Sequence, residues 1–524
     1  MSPISRRKFL AASAALGAFP LIRGAEPGDG GFGPLFRHGV ASGDPLADRV
    51  ILWTRVSLVG PRDPVLVAWE VARDHGFTRT LARGEAQTGA ARDFTVKVDV
   101  SGLAPGTTYY YRFTLAGYRS PVGRTRTLPE AGVSRVRLGV VSCANLPYGY
   151  FNAYACLARR AELDAVLHLG DYLYESRGRR NTSERVPVPA RETVTLEDYR
   201  ERHAQYKSDP DAQEVHRQHP FIVVWDDHEI SDNAWAGGAL GHDPKRGGTW
   251  LARRAAALQA YFEWMPIREN RDTQERRIYR TFRFGALAEL IMLDTRIVGR
   301  DQQVGSELSA LEAPSRTILG GPQEQWLAGR LEGSVRAGTP WQVIGQQVTF
   351  APQVLAGEPS PNSDTWDGYR ACRARVFDMV ERAKVKNLAV LTGDMHSSWA
   401  YDLPRGPFHE YASATGRGSL GVELVGTSVT SPNSLGRGPN GEQELAALRD
   451  ARPHLHYVDG RYRGYFVVDL TRERLQADYY AVATIEERST DEAFAKGFVT
   501  EAGRNHLVEV SSPAEPTAAP DLAP

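Results

Sequence analysis

What most constrains this chain is a series of short, nearly continuous apolar runs. Val136–Ser142, Ala165–Leu169, Phe221–Trp225, Leu287–Leu293, Gln342–Gln346 and Leu388–Thr392 read as strands buried on both faces. Helical patterns fall between several of them, over Tyr150–Ala161, Trp250–Trp264, Pro322–Leu331 and Arg373–Lys384. Strands alternating with helices make an α/β body. Val422–Val425 and Tyr465–Leu470 add late strands, and Leu475–Ala483 reads as one more strand or as a helix.

The chain before this body has a different texture. Val50–Val56, Val65–Arg73, Phe94–Val100 and Thr108–Leu115 are rich in β-branched and aromatic residues, with Pro and Gly between them. Strands spaced like this without helices suggest a small β-sandwich over 36–129. Gly102 to Arg112, with Tyr109, Tyr110 and Tyr111, resembles the corner of a fibronectin-III-like module, Tyr109 or Tyr111 being its corner tyrosine. A cross-strand aromatic ladder is the plainer alternative. The α/β body is expected over 134–485, and the Pro- and Ala-rich tail 512–524 is expected to be disordered.

Residues 1–25 read as an address. Ser5-Arg6-Arg7-Lys8-Phe9-Leu10 leads into a weakly apolar run, Ala11 to Ile22, the layout of a signal peptide. The run is shorter than the roughly 18 apolar residues of a spanning helix, and no longer one follows. The paired arginines resemble a twin-arginine signal, which implies the twin-arginine export machinery as a partner and a periplasmic or extracellular location. Lys+Arg and Asp+Glu both number 63, so net charge is zero and a globally basic nucleic-acid binder is excluded. Three cysteines, Cys143, Cys156 and Cys372, cannot make a disulfide scaffold; Cys143 and Cys156 could still pair.

The chemistry lies where the buried strands end. These ends carry Ser142-Cys143, Gly170-Asp171 through Tyr174, Asp226-Asp227-His228-Glu229, Asp294-Thr295-Arg296 and Gly393-Asp394-Met395-His396. Open α/β sheets bind ligands outside the carboxyl ends of their strands. Carboxylates gathered there repel one another unless cations neutralise them, so two or three metal ions are the economical explanation. Asp232 and Asn233 are further ligand candidates. Glu162, Glu175, His168, His203, His216 and His219 read as solvated or structural. His454-Leu455-His456 could bind metal, with a surface turn the plainer reading. No Gly-rich phosphate loop follows any strand, which excludes a nucleotide-binding loop.

Gly170-Asp171-x-x-Tyr174, Asp227-His228-Glu229 and Gly393-Asp394-x-His396 resemble the metallophosphatase set of purple acid phosphatases and calcineurin-type enzymes. The closer resemblance is to the PhoD-type alkaline phosphatase family. It adds Ala41-Ser42-Gly43-Asp44-Pro45, Ile51-Leu52-Trp53-Thr54-Arg55, Ser142-Cys143, Trp225-Asp226-Asp227-His228-Glu229 and Met395-His396-Ser397-Ser398-Trp399, in order across about residues 36–480. The resemblance implies a four-layer α/β/β/α sandwich behind the small β-domain, and metal-assisted hydrolysis of phosphate esters outside the cytoplasm.

The sequence departs from the general metallophosphatase pattern. Cys143 stands in place of Asp-x-His, Asp227 in place of Asn, Gln346 in place of a strand-end His, and Asp394 in place of a His. A site poorer in imidazole and richer in oxygen suits Ca²⁺ or Mn²⁺, while thiolate and phenolate suit Fe³⁺. This agrees with the iron-plus-calcium centre that the resemblance implies. On that reading Asp171 bridges two ions, Cys143 and Tyr174 hold iron, and Asp227 holds calcium. Asp394 and His396, two apart on an extended loop, face one site. His228 stabilises the phosphoryl oxygens or protonates the leaving group, and Arg296 clamps the phosphate or makes a salt bridge. The segment Ser176 to Asp211 is a candidate rim. A phosphodiesterase or phospholipase-like hydrolase at the same centre is the alternative enzyme, and an exported binding protein is the alternative outside enzymology.

Overall fold

The computed structural model of the chain describes residues 35–57, 63–177, 185–269, 276–354, 362–405 and 408–524. The expected export signal, residues 1–25, lies outside them. Two large mixed sheets dominate. The first has ten strands, ordered Val508–Val510, Glu492–Glu501, Arg474–Val482, Gly464–Thr471, Arg135–Val141, Ala165–His168, Pro220–Val223, Val40–Gly43, Arg49–Arg55 and Thr95–Ser101. The second has seven, ordered Arg280–Phe284, Ala288–Met292, Trp341–Gln346, Leu388–Thr392, Ser419–Val425, Ser398–Pro404 and Leu455–Asp459. Each has a parallel centre, 135–141 to 220–223 in the first and 288–292 to 419–425 in the second.

The apolar runs have no polar alternation because both faces of these strands are covered. In the second sheet Val343, Ala389, Leu391, Val422 and Leu424 share a core with Leu138, Val140 and Val468 of the first. The alternate residues Ile344, Val390 and Val425 pack with Leu327, Leu331, Phe377 and Val380 from helices Gly321–Arg336 and Arg370–Ala383. Period-two side-chain direction thus gives these central strands of the second sheet one face toward the first sheet and one toward helices. Helix Trp250–Trp264 begins at Thr249, whose hydroxyl accepts the Ala252 N–H, and ends just before Pro266.

The N-terminal strands do not make a self-contained body. Val65–Ala72, Thr80–Thr88 and Thr108–Leu115 belong to a separate five-stranded sheet. It packs on Arg49–Arg55 and Thr95–Ser101 through Val50, Leu52, Val96, Val67, Tyr111 and Phe113. Those two strands and Val40–Gly43 continue into the first large sheet, Ser42 and Gly43 pairing in parallel with Pro220 and Phe221. The Tyr109 hydroxyl accepts the Ala104 N–H at 2.8 Å and turns back to the Ala104 carbonyl at 3.4 Å.

Two expectations need correction, and one open alternative is decided. The body does not stop at 485, because strands 492–501 and 508–510 extend its first sheet. Residues 474–482 form a strand, because they pair along their whole length with 464–471. The tail 512–524 is laid on the molecule: Ala514 N–H donates to Asp478, Tyr110 hydroxyl to the Asp521 carbonyl at 2.6 Å, and the Gln218 amide bonds Ala523 in both directions. Pro and Ala leave the tail backbone carbonyls open, and arginines, a tyrosine and a glutamine on the body supply the donors. Among the described residues no helix is long and apolar enough to cross a membrane.

Candidate metal centre

The parallel strands of both sheets bring their carboxyl ends together, with Val429 N–H donating to the Ser142 carbonyl at 3.0 Å and Cys143 N–H to the Gly170 carbonyl at 3.1 Å. The chain leaves these strands abruptly. Cys143, Asp171, Asn233, Asp394 and His396 all have φ between 52° and 63°. Non-glycine residues rarely adopt this left-handed conformation, and functional sites concentrate it. Gly170, at φ 106°, allows close approach: a Cβ there would lie 2.4 Å from the Asp226 Cβ.

The ligand-type atoms form linked groups. Cys143, Asp171 and His396 each place one within 4.8 Å of the others, as do Asp171, Asp227 and His228, and as do Asp226, Asp227 and Asp394. Tyr174 joins the first group, its hydroxyl donating to Asp171 Oδ2 at 2.7 Å and lying 3.1 Å from His396 Nε2. Ser431 Oγ donates to the same phenol at 2.6 Å. The expected sharing of one site by Asp394 and His396 does not occur. Their left-handed backbone, in place of an extended one, sends His396 to the sulfur-containing group and Asp394 to the all-carboxylate group.

Arg296 is completely buried among carboxylates. Its Nε donates to Asp226, Nη1 to both oxygens of Asp364 at 2.8 and 2.9 Å, and Nη2 to Asp394 at 3.0 Å with Asp227 at 3.5 Å. No donor edge is left for a phosphate, so the phosphate clamp is replaced by the salt-bridge alternative. Arg300 and Gln303 also hold Asp364, at 2.5 and 2.6 Å. The Asn233 N–H donates to Asp227 Oδ2 at 2.5 Å. Asp232 is half exposed and 3.9 Å from His228 Nε2.

His228 stacks on Tyr174 at 4.2 Å between ring centroids and meets Glu175 Oε2 through Nδ1 at 2.7 Å. Burial opposes charging its imidazole, but Glu175, Asp227 and Asp171 outweigh burial and hold its pKa well above the ordinary value. Burial likewise acts to raise the Glu175 carboxyl, and His228 overcomes it, leaving Glu175 at about 2.

The donor set fits cations. Burial, with Asp227 and neighbouring carboxylates, raises the Asp171 pKa well above the usual range, and burial raises Asp394 to about 7 despite Arg296. Asp226 Oδ2 and Asp227 Oδ1 are buried with no hydrogen-bond partner. Buried unpaired carboxylate oxygens are costly unless a cation meets them. Burial, and then Asp171, also raises the Cys143 thiol, so a thiolate there needs a cation beside it.

Sequence reasoning read Glu175 as solvated or structural, quoted Asp226 within a strand-end motif without giving it a role, and missed Asp364, Arg300 and Ser431. Glu175 directly follows Tyr174 of one motif and Asp226 lies within another; Asp364 comes from a loop with no motif at all. Cys143 and Cys156 are free and buried, so they form no disulfide. His168, His216 and His219 bond Tyr154, Tyr172 and the Leu157 carbonyl away from the centre. His454 is buried and His456 lies in the strand Leu455–Asp459, so 454–456 is no surface turn.

Comparison with known proteins agrees with this geometry. Residues 138–479 match the family model "PhoD-like phosphatase", and residues 28–129 match "PhoD-like phosphatase, N-terminal domain". The chain is 37% identical over 499 residues to alkaline phosphatase D of Bacillus subtilis (strain 168), covering 91% of this chain and 82% of that protein. It superposes on the solved structure of PhoD with a TM-score of 0.82 at 36% identity, covering 93% of this chain and 94% of that one. On these grounds the chain belongs to the PhoD-like phosphatase family.

Proposed function

We propose that this phosphatase hydrolyses phosphate esters at the centre formed by Cys143, Asp171, Tyr174, Asp227, His228, Asp394 and His396. The observation that carries the proposal is the convergence of these residues from separate strand ends, with two buried carboxylate oxygens left without a hydrogen bond. Cys143, Asp171, Tyr174 and His396 would hold Fe³⁺, and Asp171, Asp227 and Asp394 one or two Ca²⁺, with Mn²⁺ as a substitute. Such ions polarise phosphoryl oxygens and activate water.

His228, fixed through Nδ1 by Glu175, presents Nε2 to donate a proton to the leaving alkoxide. Arg296 is a positioning residue that sets the distances between Asp226, Asp227, Asp364 and Asp394. The reading extends to export of the folded protein through the twin-arginine signal in residues 1–25. It also includes a four-layer α/β/β/α arrangement of the two large sheets and their helices, with a fibronectin-III-like packing of the N-terminal strands; the shared core of the two sheets and the Tyr109 hydroxyl bonded to Ala104 support this.

The test is hydrolysis of an aryl phosphate monoester and its diester in alkaline buffer, with and without a calcium chelator and after calcium is restored. Chelator-sensitive, calcium-rescued turnover supports the centre, and the monoester-to-diester ratio chooses between phosphatase and phosphodiesterase. No turnover of either ester by metal-loaded protein rejects the proposal and turns attention to a binding role.

A further inference from the structure

A second cluster of ligand-type side chains lies away from this centre. Asp402 sits in strand Ser398–Pro404, four residues or roughly 13 Å down the strand from Ser398. Its carboxylate is wholly buried. His456, in the neighbouring strand Leu455–Asp459, places Nε2 3.1 Å from Asp402 Oδ1. His506, in the loop between strands Glu492–Glu501 and Val508–Val510 of the other sheet, places Nδ1 2.7 Å from Oδ2. One ligand atom of each lies within 4.8 Å of the other two. The imidazole centroids are 5.3 Å apart with planes crossed at 67°. The Tyr411 hydroxyl adds an oxygen 2.7 Å from Oδ2, and Leu507 N–H donates to Oδ1 at 2.9 Å.

A plain ion-pair network accounts for only part of this. His456 Nε2 is sealed from solvent and makes no hydrogen bond, although a carboxylate oxygen lies 3.1 Å away. A nitrogen beside an acceptor but not aimed at it is placed as though both atoms served a third partner. Ligands about 2.0–2.1 Å from a tetrahedral ion stand roughly 3.3 Å from one another, close to the two nitrogen–oxygen distances of 3.1 and 2.7 Å. Two imidazoles and one carboxylate suit zinc, whereas calcium takes six to eight oxygens.

We propose that Asp402, His456 and His506 form a structural site for one divalent transition ion, zinc by its donor chemistry. The Tyr411 hydroxyl or a water completes the tetrahedron. The ion ties the last hairpin of the first sheet to the margin of the second. It takes no part in ester hydrolysis, so the proposal stands or falls independently of the catalytic centre.

The test uses full-length protein loaded with Zn²⁺, desalted, and analysed for metal by mass spectrometry. An Asp171→Asn background weakens competing uptake at the catalytic centre. The expected result is one zinc per chain fewer in His456→Gln/His506→Gln than in the otherwise identical protein, and a zinc-dependent rise in Tm that the double variant lacks. Equal zinc content and an equal Tm response would overturn the site, as would an Asp171→Asn protein that retains no zinc at all. Should the double variant fail to fold, Co²⁺ titration of the Asp171→Asn protein decides: a tetrahedral visible band that His456→Gln removes supports the site, and no such band rejects it.

Discussion

Glu175 holds the His228 imidazole by Nδ1 at 2.7 Å, while Nε2 keeps only a 3.9 Å approach to Asp232. The pair fixes both the direction and the basicity of the ring. His228→Ala should lower kcat roughly 10²- to 10³-fold with a smaller change in KM. Glu175→Gln should cost about tenfold, in the way loss of an orienting partner does. It should also move the alkaline limb of the rate profile to lower pH, because a carboxylate that favours the imidazolium is gone. Steady-state kinetics against pH on an aryl phosphate check this, and an unmoved limb would refute the coupling.

Arg296 answers several aspartates at once, and it is the charge that lets them be buried together. Arg296→Met leaves those carboxylates with too few partners. Breaking a buried pair typically costs about 3–5 kcal/mol, so denaturant unfolding should show a loss of that order. Added calcium should restore more stability to the variant than to the parent protein. A variant as stable as the parent in chelator would contradict the arrangement.

Cys143 and Tyr174 border the same group as Asp171 and His396. Cys143→Ser and Tyr174→Phe should lower bound iron while largely sparing calcium, and Asp171→Asn should lower both. Metal analysis of proteins purified in parallel measures this. A uniform loss of both metals in all three would point to general unfolding instead.

Glu423 is wholly buried and accepts from Phe350 N–H, Ala351 N–H and Thr392 hydroxyl, and burial raises its pKa from 4.5 to about 7. The folded protein therefore holds a proton that the unfolded chain releases between those values. This contribution to stability is full below about pH 4.5 and is lost as pH rises through 7, by at most about 3 kcal/mol. Glu423→Gln should be less stable at pH 5, where one backbone donor loses its acceptor, and should fall less between pH 5 and pH 8. Tm at the two pH values for both proteins is the measurement, and parallel slopes would refute it.

Deleting residues 513–524 removes the bonds from Ala514 to Asp478, from Arg137 to the Glu515 carbonyl and from Tyr110 to the Asp521 carbonyl. Tm should drop measurably while KM for a small aryl phosphate stays unchanged. An unaltered Tm would mean that the tail contributes nothing in solution.

The sequence made the strand-end chemistry readable because each motif is local: a buried run, a turn, and one or two ligand-type residues. Trp250–Trp264 was readable for the same reason, its pattern and its Thr249 cap lying within one segment. Asp364 was not, since a loop residue acquires its role only when Arg296 and Arg300 arrive from another segment. The split of Asp394 from His396 was hidden in two φ angles that residue identity alone does not announce. The tail misled because its composition is that of a disordered segment, while its anchors lie in the body.

Strand Val40–Gly43 covers the parallel edge of Pro220–Val223. Without residues 35–129 that strand would present open backbone N–H and C=O groups to solvent, the template from which chains pair with copies of themselves. A catalytic fragment beginning at 134 is thus expected to aggregate, and the N-terminal segment acts as an intramolecular guard against self-association.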